Sequence, residues 1–392
     1  MIGRGRRWWL RTVVVCVAAG AVVGALSAAV VEVARPFPDP LPLRVVFWVA
    51  VAAAATGLAL ARRSIRRRRG VAVVLALLAV VATSAVKVNA FYGYRPNLAG
   101  VLGLPAGNEV DLADVPRIAP LATAPAGQPM SAVWRSPPGM PRGGRIARVD
   151  LPGRVSRFPD RQAWVYLPPA YLASPRPRLP VLVMVPGQPG GPEDWLLAGR
   201  LAEVMDRFAA AHDGLAPVVV VPDATGSSLG NTLCLDSRLG AAETYLAVDV
   251  PEWLTANLQV DRDRLAIGGF SFGGTCALQL ALRRPDVYPS FLDIAGQAEP
   301  TLGDRAQTVR AAFGGDEAAF RAVNPVDELR RTRYPSGAGL FAVGRDDADF
   351  RSQAREAADA TRGAGLTVGL VELPGGHSWS MATDALDRAL PR

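Results

Sequence analysis

The chain has 392 residues, half of them hydrophobic, with 33 prolines, 39 glycines, 3 cysteines and 2 histidines. It is too apolar for a disordered chain and too long for a disulfide-stapled miniprotein, and so few histidines and cysteines give little basis for a zinc or iron site, so neither metal nor cofactor is expected. The formal charge of +8 divides unevenly: 13 basic side chains oppose only Glu32 and Asp39 in residues 1–90, whereas 30 arginines oppose 33 acids in residues 91–392, which argues against a nucleic-acid partner.

Residues 1–90 are read as a membrane anchor. Thr12 to Ala34 is apolar apart from Thr12, Ser27 and Glu32, and is long enough to cross about 30 Å of hydrocarbon. Two further spans are expected, at about 45–61 and 71–88, the second extended past Lys87 by snorkelling of that side chain. Lys and Arg resist translocation, so Arg4, Arg6, Arg7 and Arg11 put the N-terminus in the cytoplasm. Pro36, Pro38, Pro40 and Pro42 mark a short outer loop, and the arginines at 62, 63 and 66–69 fall where an inner loop is required. Three spans then leave residues 91–392 outside the cytoplasm, with the bilayer as partner. A cleaved signal peptide would leave two later spans unexplained. A nucleic-acid reading of the arginine run is opposed by its place between two apolar spans.

Phe91, Tyr92 and Tyr94 occupy the place of an interfacial aromatic belt. Residues 91–144 are rich in Pro, Gly and Ala without sustained periodicity and read as a linker. From residue 145 to 392, short β-rich runs alternate with helical stretches, the pattern of one α/β domain with a mostly parallel sheet of eight strands and helices on both faces. Strands are expected at 146–149, 163–167, 181–185, 218–221, 265–268, 291–294, 340–343 and 368–372, the first two antiparallel. Helices are expected near 196–211, 241–257, 273–283, 305–313, 349–364 and 379–390.

Gly269-Phe270-Ser271-Phe272-Gly273 fits G-x-S-x-G, in which small residues let the chain turn sharply from strand to helix and hold a serine hydroxyl exposed. The pattern is short, but an apolar strand precedes it and a helical run follows. A serine nucleophile needs a base. His212 ends a helical run, where a histidine favours the helix C-terminus, and reads as structural. His377 lies in Pro374-Gly375-Gly376-His377-Ser378-Trp379, a loop after a strand, where α/β sheets place functional groups. The acid should lie between them in chain order, in Gly344-Arg345-Asp346-Asp347-Ala348-Asp349. Spacing does not separate the three aspartates; Asp347 is favoured, with Asp346 as the alternative acid. Donors to a developing oxyanion are expected from the backbone N–H of Phe272 and of Gln188, in the turn Pro186-Gly187-Gln188-Pro189-Gly190-Gly191.

These blocks, with Trp195, Val218 to Asp223 and Arg284-Pro285-Asp286-Val287-Tyr288, make the chain from about 145 to 390 resemble the esterase D and mycolyltransferase branch of the α/β-hydrolases, a family of putative esterases. The resemblance implies a Ser271, Asp347, His377 triad with oxyanion donors at Gln188 and Phe272. The family's Gly-x-x-Asp pattern supports Asp347. Pro186 departs from it, standing where relatives often carry His or Asp.

Cys16 falls in the first span and reads as a small buried hydrophobe. Cys234 and Cys276 lie in the outward part, where oxidation is permitted, and are read as a disulfide, against two buried free thiols. The function expected is a membrane-anchored extracytoplasmic serine esterase acting on carboxylic esters through an acyl-enzyme. The alternatives are an acyltransferase moving an acyl group to a sugar or lipid hydroxyl, and a non-catalytic tethered binding protein with a hydrolase fold.

Overall fold

The computed structural model describes residues 5–34, 40–61, 67–95, 107–159 and 161–390. Several residues on which the expected orientation rests, Arg4, Pro36, Pro38 and the arginines at 62, 63 and 66, lie outside these, as do the side chains of residues 67–69. The chain divides into two units, Met1–Tyr94 and Arg95–Arg392.

Among its described residues the first unit contains three helices, α1 (Arg6–Ala34), α2 (Leu43–Ala61) and α3 (Arg67–Tyr92). All three, α3 counted from Gly70, are long and apolar enough to cross a membrane. Each extends beyond its apolar run, because helix propensity does not stop where hydrophobicity does. Side chains such as Val14, Val15, Leu26, Leu75 and Leu78 point outward, as in helices whose solvent is lipid. Helices α1 and α2 pack antiparallel along small residues: a Cβ on Gly20 would meet the Ala50 carbonyl oxygen at 2.5 Å, and one on Gly24 would lie 3.0 Å from the Ala50 Cβ. Without a hydrophobic effect inside a bilayer, such close backbone approach is what holds helices together. Cys16 is buried in this contact, beside Gly57.

In the second unit an eight-stranded sheet runs in the order β8-β7-β6-β5-β3-β4-β2-β1. The strands are β1 (Arg145–Val149), β2 (Ala163–Leu167), β3 (Val181–Val185), β4 (Val218–Val221), β5 (Leu265–Phe270), β6 (Ser290–Ile294), β7 (Ala338–Gly344) and β8 (Thr367–Leu373). β1 pairs antiparallel with β2, and β2 antiparallel with β4; every other pairing is parallel. The uninterrupted Val181–Val185 and Val218–Val221 runs are buried throughout, as central strands covered on both faces must be.

Of helices α4 (Leu201–Ala211), α5 (Phe272–Arg283), α6 (Ala348–Gly363) and α7 (Trp379–Ala389), the last three lie close to their expected bounds. The expected helix 196–211 is broken: Glu193–Leu197 forms a separate turn, and Arg200 takes φ 48° before α4. The run 241–257 carries a π-helical turn at Tyr245–Asp249 before the α-helix Val250–Asn257. Two helices that follow Arg305–Phe313, at Glu317–Val323 and Pro325–Arg331, escaped the sequence reading, although Asp316 caps one and Pro325 opens the other.

Residues 107–144, expected as part of a linker, carry short elements that join the core of the sheet unit. Val115 and Trp134 are buried there, and the Trp134 indole donates to the Asp213 carbonyl at 3.0 Å. Leu121–Ala122 pairs in parallel with Arg176–Pro177. Apolar side chains spaced along a Pro-rich segment suffice to pin it without long elements of its own.

Candidate active site

Ser271 stands between β5 and α5 with φ 57° and ψ −119°, a conformation that L-residues rarely adopt. The flanking glycines explain how it is reached. A Cβ on Gly269 would fall 2.3 Å from Gly273, and one on Gly273 would fall 2.1 Å from the Val185 carbonyl oxygen. Only hydrogens at these positions let the first turn of α5 press onto the end of β3. The turn is then pinned by hydrogen bonds: the Ser271 N–H donates to Ile294 O at 2.8 Å, and the Ser271 carbonyl accepts from Gly274 N–H at 2.8 Å. The serine side chain makes no capping bond to the helix it opens.

His377 lies in the loop between β8 and α7, and its Nδ1 sits 2.9 Å from Oδ2 of Asp347, at the start of α6. The two loops are stitched by backbone bonds from Arg345 N–H to Leu373 O and from Asp346 N–H to Gly375 O. The imidazole ring lies 4.8 Å from the ring of Phe270, the residue before Ser271, and 4.2 Å from that of Phe350 on α6. Phe270 also packs edge-on against Trp379, which meets Trp195 at 5.1 Å. The Asp347 side chain is 11% exposed, whereas Asp346 and Asp349 are exposed residues. Of the three aspartates, therefore, Asp347 is the one paired with the histidine. His212, by contrast, stacks on Phe208 at the C-terminus of α4, with Nδ1 2.7 Å from the Phe208 carbonyl.

The turn after β3 lies directly beside the serine. A Cβ on Gly187 would sit 3.3 Å from the Phe270 carbonyl oxygen and 3.6 Å from the Ser271 Cβ. Gln188, next in the turn, anchors its side chain outward: Nε2 donates to Leu229 O at 3.0 Å, and Oε1 accepts from Asn231 Nδ2 at 2.9 Å. Phe272 occupies the first position of α5, where backbone N–H groups have no acceptor within the helix. Phe272 thus follows Ser271 directly, and Gln188 follows the glycine that packs against it.

Arg161, Asp194 and Asn231, which sequence reasoning did not single out, hold this turn. Arg161 clamps the buried Asp223 through Nε at 2.8 Å and Nη2 at 3.0 Å, and the same Nη2 donates to Gly190 O at 2.9 Å. Burial pushes the Asp223 carboxyl upward, but hydrogen bonds from Arg161 and Thr225 outweigh it and keep its pKa below the ordinary value. Asp194 accepts from Gly191 N–H at 2.9 Å; desolvation raises its pKa to about 6 despite that bond. Asn231 is the third. Asp223 ends a block noticed in the sequence, but Arg161 lies far from it along the chain, and no local pattern marks Arg161 as the partner of Asp223 or Asn231 as that of Gln188. Behind them, Cys234 and Cys276 form a disulfide with Cα atoms 5.4 Å apart, joining the loop after β4 to α5.

A serine on a strand-to-helix elbow, an imidazole–carboxylate pair from the loops after β8 and β7, and a sheet of this strand order define an α/β-hydrolase. Within that class the chain belongs to the esterase family, whose model, described as putative esterase, matches residues 159–392. The chain is 36% identical over 364 residues to an uncharacterized protein of Corynebacterium glutamicum, covering 90% of this chain and 82% of that one. It is 33% identical over 104 residues to an S-formylglutathione hydrolase of Paracoccus denitrificans, 26% of this chain and 37% of the relative. Among solved structures, a ferulic acid esterase superposes with a TM-score of 0.54 at 21% identity, over 66% of this chain and 97% of that one. An S-formylglutathione hydrolase from Agrobacterium tumefaciens gives 0.53 at 20% identity, over 64% and 94%. At these identities the two structures speak for the fold.

Proposed function

We propose that the protein is a membrane-anchored serine esterase whose triad is Ser271, His377 and Asp347. The observation that carries this reading is the 2.9 Å contact between His377 Nδ1 and Asp347 Oδ2, made beside a serine held in a strained elbow. With Nδ1 engaged by the carboxylate, Nε2 is the nitrogen available to take the Ser271 proton. Ser271 Oγ attacks the ester carbonyl, and the oxygen that becomes negative is met by the N–H groups of Gln188 and Phe272. The imidazolium returns its proton to the leaving alcohol, and water repeats the sequence in reverse to free the acid and the serine. Asp347 holds the ring and balances its transient charge.

Family membership and the sequence likeness to an S-formylglutathione hydrolase support a carboxylic ester or thioester as substrate. The three apolar helices and the arginines that flank them support a bilayer anchor with the catalytic unit outside the cytoplasm. A disulfide in that unit agrees with an oxidising compartment.

The test is fluorophosphonate labelling of the detergent-solubilised full chain beside its Ser271→Ala variant. Labelling and p-nitrophenyl ester turnover by the wild type, both lost in the variant, are expected. Equal labelling of the two would remove Ser271 from its role. No reaction of a folded wild type would favour a tethered binding protein.

A further inference from the structure

We propose that Asn231 is a positioning residue for the oxyanion donor at Gln188, and that the Cys234–Cys276 disulfide holds Asn231 in place; this rests on the esterase reading above. An oxyanion donor accelerates the reaction only if it is aimed before the charge develops, and a displacement near 1 Å can cost about a hundredfold in rate. Pro186 and Pro189 restrict this turn, and Arg161 and Asp194 hold its far end, but Gly187 leaves the backbone at Gln188 free to pivot. The orientation at Gln188 itself still needs a partner from outside the turn.

Asn231 supplies that order with every polar atom of its amide in use. Nδ2 donates to Gln188 Oε1 at 2.9 Å and to Thr301 O at 3.1 Å, and Oδ1 accepts from Leu233 N–H at 3.0 Å. One side chain therefore ties the Gln188 turn to the segment after β6 and to its own loop. That loop is held in turn: Leu233 and Cys234 take φ 58° and 51°, a pair of non-glycine residues in the left-handed region that persists only where the surroundings enforce it. Hydrogen bonds from Leu233 N–H to Asn231 and from Cys234 N–H to Thr232 contribute, and the covalent restraint is the bond from Cys234 to Cys276, in the second turn of the helix that Ser271 opens. Nucleophile and oxyanion donor are thus linked through one covalent bond and one amide, so they share a frame although they lie on different strands' loops.

The experiment compares Asn231→Ala, Asn231→Asp, Gln188→Ala, the Asn231→Ala/Gln188→Ala double variant and the Cys234→Ala/Cys276→Ala variant, all as detergent-solubilised full chains. Gln188→Ala keeps the backbone N–H, and Asn231→Asp keeps the acceptor for Leu233 while turning an acceptor toward Gln188. Steady-state kinetics on a p-nitrophenyl ester should show kcat lowered about ten- to a hundredfold with KM within about twofold. Affinity for a trifluoromethyl ketone, which forms a tetrahedral oxyanion adduct, should fall in proportion. The Asn231→Ala/Gln188→Ala variant should be no worse than the poorer single variant, since both remove the same Gln188–Asn231 contact. The cysteine variant should repeat the kcat loss at retained KM. Normal kcat in folded Asn231 variants, or additive losses in the double variant, would overturn the inference while leaving the esterase reading intact. If Asn231→Ala loses its melting transition, Asn231→Asp and Gln188→Ala carry the same comparison. A wild type inert toward both ester and fluorophosphonate would overturn the esterase reading, and this inference with it.

Discussion

Replacing Ser271 by glycine should make the protein more stable as it makes it inactive. The serine sits at φ 57° and ψ −119°, where only glycine is at ease. Holding an L-residue there costs about 1–3 kcal/mol. Glycine removes that strain and adds about 0.5–1 kcal/mol of unfolded-state entropy relative to alanine. The side chain makes no capping bond, so little native contact is lost with it. Ser271→Gly should therefore exceed Ser271→Ala in stability by about 0.5–2 kcal/mol, which for a unit of this size is a rise in melting temperature of roughly 1–5 °C. Both variants lose fluorophosphonate labelling, so the comparison isolates the backbone term. Urea and thermal unfolding of the two detergent-solubilised chains measure it. A glycine variant no more stable than the alanine variant would show that the elbow is unstrained and would refute the reasoning.

Two further outcomes follow from the same geometry. Asp347→Asn leaves the shape of the 2.9 Å contact but turns a charged acceptor into a neutral amide, so kcat should fall by about 10³–10⁴-fold with the melting temperature little changed, whereas Asp346→Asn, on an exposed residue, should stay near wild type. Equal losses in the two would return the assignment of the acid to the sequence ambiguity. Asp293, buried on β6 and bonded by Gly296 N–H at 2.7 Å, has its pKa raised to about 7 by desolvation. The folded state then binds the proton more tightly than the unfolded chain, whose carboxyl titrates near 3.8, so this stabilising contribution is full below that value and is lost as pH rises through about 7. Asp293→Asn keeps the acceptor for Gly296 and should flatten the decline of stability between pH 4 and 8; an unchanged slope in urea titrations would show that Asp293 does not titrate there.

Much of this molecule was legible along the chain because its signals are local. Three apolar runs are bounded by arginines, and periodicity marked the eight strands, several to the residue. Gly269 and Gly273 announced the elbow because a sharp strand-to-helix turn excludes Cβ atoms wherever it occurs. His377 stood out by elimination, as one of only two histidines. Composition misled where packing outweighs it: a Pro-rich stretch without periodicity reads as linker, yet Trp134 and Val115 are buried in the core.

Tertiary structure alone chose among equals and joined distant partners. Asp346, Asp347 and Asp349 are chemically identical in sequence; the stitching of the loops after β7 and β8 turns one of them to His377. Arg161 meets Asp223, and Asn231 meets both Gln188 and Thr301, because strand order β3-β4-β2 brings the ends of separated segments together. Sequence carries turn geometry and hydrophobic period, which depend on near neighbours; the aim of a donor depends on what presses on its loop from elsewhere in the chain, and that is settled only when the sheet closes around it.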